Sequence, residues 1–297
     1  MSEEKIQHPE VPVIIIERDE EPNVATENRP KKWKRRWLSW LAMAASVLLM
    51  LALLLAGYKW IGYYYFIGVP VSTSPKENIE KLKQPVKQEM AEIVLSSDSI
   101  HGVALDFYAI HGLKASIEFE EPDTSDTFVF LYSRCADHTA DGKYLGSLVA
   151  EGVEKQSDRS QLGYMAMADG RMVIGIGRSD KVKDYVMERG GSFFRQFILV
   201  SDGVIPARFY LHGKVERRAI GRMGDTLYYI ATRHKETMYD FADALLEYGF
   251  TDAIYITGGN DRCFYRDREG LRNDIGIVDS LAHEKWNGII PWLVFRK

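Results

Sequence analysis

Hydrophobic and polar positions divide the chain into one long apolar stretch and a region of short alternating runs. The stretch from Trp37 to Tyr58 carries no charge and no proline. As a helix rising about 1.5 Å per residue, it reaches the roughly 30 Å hydrocarbon core of a bilayer. The pattern therefore predicts a transmembrane anchor at residues 37–66.

Beyond about Ile93 the pattern changes to short runs that predict strands. These runs include GVALDFYAI, TFVFLYS, GYMAMA, RMVIGIG, TLYYIAT and AIYITG. Asp169-Gly170, between two of the runs, is a strong signal for a hairpin turn. The fold class predicted for residues 93–297 is α+β, with a mixed, largely antiparallel sheet and few helices.

One helix in this region is well marked. Thr237 and Asp240 form a capping-box-like pair, apolar residues follow at helical spacing, and Gly249 is suited to end the helix. Because TLYYIAT precedes this helix and AIYITG follows it, the order predicts a strand-helix-strand unit that ends in a glycine-rich turn.

The segments around the apolar stretch predict how the chain is placed in a membrane. Residues 1–36 are predicted to be a disordered cytoplasmic tail that ends in the basic run KKWKRR. Because few basic residues follow the apolar stretch, we expect the N-terminus to lie in the cytoplasm. The expectation is an uncleaved signal-anchor, single-pass in the cytoplasmic (inner) membrane. Residues 67–92 mix proline with Lys and Glu and are predicted to be a linker to a periplasmic or otherwise extracytoplasmic domain.

Composition excludes several function classes. The 297 residues are 46% hydrophobic, and the net charge of −4 gives no basic domain for a nucleic-acid partner. Histidines show no HxH or HExxH spacing, so no metal site is predicted, and the sequence assigns no cofactor. Cys135 and Cys263 are too few for a disulfide framework, although they could form one bridge in an oxidising compartment.

Two groups of residues are suited to bind phosphate. Arg217 and Arg218 open the predicted hairpin, where neighbouring side chains point to opposite faces, so only one of them can face a shared site. A guanidinium binds phosphate bidentately. The turn Gly258-Gly259-Asn260 follows a predicted buried strand, and its backbone N–H groups can form an anion-binding concavity.

The order of these motifs resembles the phosphodiester glycosidase domain family. That family includes the mammalian uncovering enzyme, which removes N-acetylglucosamine from a sugar phosphodiester. The resemblance rests on Arg-x-Ala-Ile-Gly, a strand, Thr-x-x-Asp opening a helix that ends in Leu-x-x-Tyr-Gly, then Asp-Ala-Ile and the glycine-rich turn. It is clearest over residues 215–262 and weaker over about 100–297. It implies that Arg217 or Arg218 is the family arginine and that Gly258 and Gly259 belong to its glycine turn.

The chain departs from the family pattern at positions that matter for chemistry. Family members read Asp-Gly-Gly-Gly-Ser at the turn, whereas this chain has Thr257 in place of the aspartate and Asp261 in place of the serine. CADHTADGKYLG, which contains His138, stands roughly where the family has an Asn-Gly-Gly-Phe-Phe-like element.

Two functions follow as expectations. The first is an enzyme that hydrolyses a sugar-1-phosphodiester in the cell envelope, with Asp261 and His138 as catalytic groups. The second is a catalytically degenerate domain that binds an envelope glycan or protein without turnover. In either case the predicted partners are a glycan or sugar-phosphate ligand and the lipid bilayer. The residues predicted to bind the ligand are Arg217, Arg218, Thr257, Gly258, Gly259 and Asn260.

Overall fold

The computed structural model describes residues 32–65, 72–86, 88–139, 142–206, 209, 213–257, 263–275 and 290–297. Within these ranges the helices are α1 Lys32–Tyr65, α2 Pro75–Lys83, α3 Lys181–Glu188 and α4 Met238–Tyr248. The strands of the same ranges are β1 Glu92–Ile100, β2 Val103–His111, β3 Lys114–Glu118, β4 Val129–Arg134, β5 Leu148–Ala150, β6 Val153–Gln156, β7 Gly163–Ala168, β8 Arg171–Ile176, β9 Ser192–Gln196, β10 Ile198–Val200, β11 Arg218–Met223, β12 Thr226–Thr232, β13 Asp252–Ile256, β14 Phe264–Arg266, β15 Arg272–Asp274 and β16 Trp292–Arg296.

Helix α1 contains the apolar stretch identified in the sequence. Its segment Trp37–Lys59 has a mean hydropathy of 2.4, and none of it is buried. At about 1.5 Å per residue this segment is about 35 Å long, which exceeds the thickness of a bilayer core. Helix α1 is thus long enough and apolar enough to cross a membrane, and it is the one such helix among the described residues.

The strands confirm the predicted α+β class. They form a six-stranded sheet in the order β1-β2-β12-β11-β13-β10 and two five-stranded sheets, β15-β14-β4-β16-β3 and β6-β5-β9-β7-β8. In the six-stranded sheet, β12 and β13 both pair antiparallel with β11 and therefore run parallel to each other. Helix α4 connects them, so the predicted strand-helix-strand unit is present.

Two layers of core lie against the six-stranded sheet. On one face, side chains from all three sheets form a common cluster, with Ile220, Leu131 and Met165 each contributed by a different sheet. On the opposite face, Phe241 and other apolar residues of α4 cover the sheet. Because successive strand residues point to opposite faces, the neighbours Ala219 and Ile220 on β11 belong to different clusters.

The local signals for α4 and for one hairpin are confirmed. Thr237 Oγ1 accepts a hydrogen bond of 3.0 Å from the Asp240 backbone N–H, and Gly249 ends the helix with φ of 108°. Asp169 and Gly170 both have positive φ at the turn between β7 and β8. This is the backbone conformation that a two-residue turn needs to match the twist of its strands.

Part of the predicted linker is instead a packed helix. Ser74 caps the N-terminus of α2, and Leu82 on this helix is fully buried against the sheet that contains β8. The amide of Asn78 donates a 2.7 Å hydrogen bond to the hydroxyl of Tyr164. Thr73 extends this attachment, because its backbone N–H donates to the carbonyl of Ile176 at 2.9 Å. Residues 75–83 therefore form a packed helix within the segment that its Pro, Lys and Glu content predicts to be a linker.

Candidate ligand-binding site

The two adjacent arginines lie on opposite faces of the six-stranded sheet. Arg218 pairs with Ala231 on β12 and with Ile256 on β13, so its side chain shares the face of the common core. Arg217, one residue earlier, lies on the face that α4 covers, where its guanidinium is 5.7 Å from the centre of the Tyr255 ring. The two guanidiniums therefore cannot bind one ligand together.

Arg217 is held by backbone groups. Its guanidinium donates to the carbonyls of Glu236 at 3.0 Å and Gly213 at 2.7 Å, and its own N–H donates to Thr232 Oγ1. The carbonyl of Glu236 belongs to the residue just before the cap of α4. Because these bonds fix the turn into α4, we interpret Arg217 as a structural residue.

Arg218 lines a cavity at the end of the sheet. The side chain is 1% exposed, and one guanidinium nitrogen donates to the carbonyl of Ile275 at 3.4 Å. The cavity is about 190 Å³ in volume. Its lining includes both positive and negative side chains, and among the lining residues are Asp106, Glu216, Arg218, Ala231 and Arg233. The guanidinium therefore faces a space that carboxylates also border.

Asp106 is the carboxylate best fixed in this cavity. Its Oδ1 accepts a 2.6 Å hydrogen bond from Ser97 Oγ on β1. The Nε of Arg233 lies 3.6 Å from the same oxygen. Asp106 stands within the apolar run GVALDFYAI, and an acidic residue inside such a strand was the signal in the sequence that could have identified it. Sequence reasoning missed both Asp106 and Glu216.

Behind Arg218 lies a small polar group in the core. The Tyr229 hydroxyl is 3.3 Å from Ser133 Oγ and accepts a hydrogen bond of 3.3 Å from the Cys263 thiol. Burial raises the pKa of Tyr229 well above the ordinary tyrosine value, and the positive charge of Arg218 opposes that rise. Tyr108 packs edge-on against Tyr229, and burial raises its pKa as well. Both phenols are therefore neutral at physiological pH.

Cys135 and Cys263 are both buried, and they are not joined by a disulfide. The bridge that an oxidising compartment would permit is absent from this structure. Burial raises the pKa of the Cys135 thiol, so this group is protonated and unreactive at neutral pH.

His138 lies on the loop that follows β4. The Arg134 guanidinium donates to its Nδ1, and its backbone forms an isolated antiparallel bridge with Tyr144. His138 is not among the described residues that line the Arg218 cavity.

Thr257 is buried one residue beyond the end of β13. Because Ile256 pairs with Arg218, continuing the register by one residue brings Thr257 beside Arg217 and not beside Arg218. Its Oγ1 makes no hydrogen bond with any described residue. The other predicted turn residues lie outside the described ranges, namely Gly258, Gly259, Asn260 and Asp261.

Comparison with known proteins shows that solved structures resemble this chain in fold. No protein-family model and no curated protein matches the sequence. The chain is similar to the catalytic domain of zebrafish N-acetylglucosamine-1-phosphodiester alpha-N-acetylglucosaminidase, auto-inhibited by its pro-peptide. That likeness has a TM-score of 0.49 and 13% identity, covering 73% of this chain and 86% of that one. A hypothetical protein from Synechocystis is similar with a TM-score of 0.53 and 9% identity, covering 69% of this chain and 62% of that one. The likeness to the Synechocystis protein concerns the fold alone.

Proposed function

We propose that this chain is a membrane-anchored, extracytoplasmic hydrolase of a sugar-1-phosphodiester, and that the ligand binds in the Arg218 cavity. The observation that carries the proposal is a buried guanidinium that borders a cavity together with carboxylates. A guanidinium stays charged when buried, and it matches the geometry of a phosphate group. Carboxylates are the groups that glycoside hydrolysis ordinarily requires.

The chemistry divides between these two kinds of group. Cleavage of the anomeric C–O bond produces an oxocarbenium-like centre, which a carboxylate stabilises, attacks or supplies with activated water. A phosphate leaving group departs as an anion, so Arg218 can stabilise it electrostatically without giving up a proton. The carboxylate comes from the cavity lining, which contains Asp106 and Glu216, or from Asp261 as the sequence predicts.

The glycine-rich turn completes the proposed binding site. In this proposal the backbone N–H groups of Gly258, Gly259 and Asn260 bind phosphate oxygens. Thr257 takes part through its backbone, since the register brings its side chain beside Arg217. His138 is a proposed catalytic group by the family resemblance alone, because it is not among the described residues that line the cavity. Substitution of His138 tests that role separately.

Binding of an envelope glycan or protein without turnover is a second candidate function. The observation that favours it is Thr257, a neutral and buried residue where the resembled family has an aspartate. A domain that has lost this carboxylate can keep an arginine site for the phosphate of a glycan.

A panel of substrates decides between these functions. The full-length protein in detergent is incubated with sugar-1-phosphodiesters and with glycosides of the same sugars that carry a neutral aglycone, and released reducing sugar is measured. We expect release from at least one phosphodiester and none from the neutral glycosides, because Arg218 stabilises only an anionic leaving group. Binding without release would favour the second function. Neither release nor binding across the panel would contradict both.

A further inference from the structure

One row of residues crosses three strands beneath the cavity. Asp106 on β2 pairs with Ala231 on β12, and Ala231 pairs with Arg218 on β11. Directly paired residues of antiparallel strands project from the same face. Two strand spacings of about 4.8 Å put the Cα atoms of Asp106 and Arg218 about 10 Å apart. A carboxylate and a guanidinium therefore stand on either side of Ala231 in one row.

The middle residue of the row leaves the space between these charges open. Ala231 has only a methyl group, whereas the next row towards the core is filled by Tyr108, Tyr229 and Ile220. All three of these larger side chains are buried. The cavity therefore lies where the sheet changes from bulky residues to alanine, with Ala231 as its floor.

The two oxygens of Asp106 have different surroundings. Oδ1 accepts from Ser97 Oγ and lies near the Arg233 guanidinium. Oδ2 makes no hydrogen bond with a described residue, and the side chain is 22% exposed. Ser97 and Arg233 thus fix the carboxylate through one oxygen and leave the other available for water. For the Glu216 carboxylate, by contrast, the described residues provide no hydrogen bond or ion pair.

We propose that Asp106 is the general base that activates water for hydrolysis, acting across the Ala231 floor from the phosphate held by Arg218. This inference rests on the function proposed above. The water oxygen forms a bond to the anomeric carbon, and the bond from that carbon to the phosphate oxygen breaks. The electron pair of the broken bond stays on the phosphate, next to Arg218. The water proton passes to Asp106 Oδ2 and then to solvent.

Replacement of Asp106 by asparagine tests the role of its carboxylate. An amide oxygen can still accept from Ser97, but the side chain can no longer take up a proton. In the full-length protein we expect Asp106→Asn to lower kcat by about 10²–10⁴-fold with little change in phosphodiester affinity. The matched control is Asp98→Asn on neighbouring β1, where the carboxylate is exposed, and we expect wild-type turnover from it.

Azide gives a readout that a purely structural role would not produce. Azide is an anionic nucleophile and has no proton to lose, so it can attack the anomeric carbon without a base. We expect azide to restore turnover in Asp106→Ala and to yield a glycosyl azide. If Asp106→Ala does not fold, Ala231→Val tests the proposal instead. The larger side chain fills the space between Asp106 and Arg218 without removing either charged group. Wild-type turnover in Ala231→Val would contradict the proposal.

The outcomes separate this inference from the function on which it rests. If Asp106→Asn hydrolyses the substrate at the wild-type rate, the role of Asp106 alone is overturned. The same holds if Asp106→Asn keeps its activity while Glu216→Gln or Asp261→Asn loses it. Absence of wild-type hydrolysis overturns the proposed function and the role of Asp106 with it.

Discussion

At the scale of single residues, the two adjacent arginines have different surroundings because they lie on opposite faces of the sheet. Arg217 donates to two backbone carbonyls, whereas Arg218 borders a cavity with charged side chains. The sequence could predict that the two side chains point apart, because alternation is a local property of a strand. It could not predict which of them faces the cavity, since that depends on the layers that pack on each face.

Alkaline pH tests the buried tyrosines. Burial raises the pKa of Tyr229, Tyr108 and Tyr132 above the ordinary value of about 10. Below about pH 10 the folded and unfolded states are both protonated at these groups, and stability does not depend on them. Above it only the unfolded state loses protons, so the free energy of unfolding falls by up to about 1.4 kcal/mol per pH unit for each tyrosine.

Denaturant unfolding measured from pH 8 to pH 11.5 checks this expectation. The decline should be shallower in Tyr229→Phe than in the wild type, because one buried phenol has been removed. Equal slopes for the two proteins would show that Tyr229 ionises in the folded state as readily as in the unfolded one.

At the scale of elements, local sequence motifs predicted the helix ends and the hairpin turn, because local interactions determine these features. The cap at Thr237, the end at Gly249 and the turn at Asp169-Gly170 were all identified because each motif satisfies its own backbone groups. The cavity was not predicted, because β2 and β12 are far apart in sequence and nothing local specifies that Asp106 lies in the same row as Arg218.

Helix α2 was missed although signals for it are present. Ser74 and Pro75 form a helix start, and Asn78 and Leu82 have the i, i+4 spacing of one buried face. The short helix is stabilised mainly by packing on β8 and its neighbours, and that packing cannot be deduced from composition.

Truncation of Leu82 tests whether α2 is part of the domain. Leu82 is fully buried, so Leu82→Ala should lower the free energy of unfolding by about 2–5 kcal/mol. Leu271, which is 59% exposed, is the matched control, and Leu271→Ala should change stability by less than about 0.5 kcal/mol. Similar effects of the two substitutions, measured by denaturant titration, would place α2 outside the cooperative unit.

At the scale of the whole molecule, the basic run before the apolar stretch of α1 predicts the orientation of the chain in the membrane. KKWKRR precedes the apolar stretch, and basic residues are retained on the cytoplasmic side. A phosphatase reporter that is active only outside the cytoplasm, fused after Lys297, should therefore be active. A reporter that requires the cytoplasm should be inactive at the same position, and the reverse pair of results would contradict the proposed orientation.

Recognition of an anionic ligand by Arg218 is the central claim, and titration calorimetry of the full-length protein with a sugar-1-phosphodiester tests it most directly. Lysine keeps the charge but lacks the planar fork, so Arg218→Lys should weaken binding by about tenfold or more, which corresponds to about 1.4 kcal/mol. Arg217→Lys should lower the stability of the fold and leave the Kd at the wild-type value, because Arg217 binds backbone carbonyls. Equal affinities of the wild type and Arg218→Lys would contradict the account.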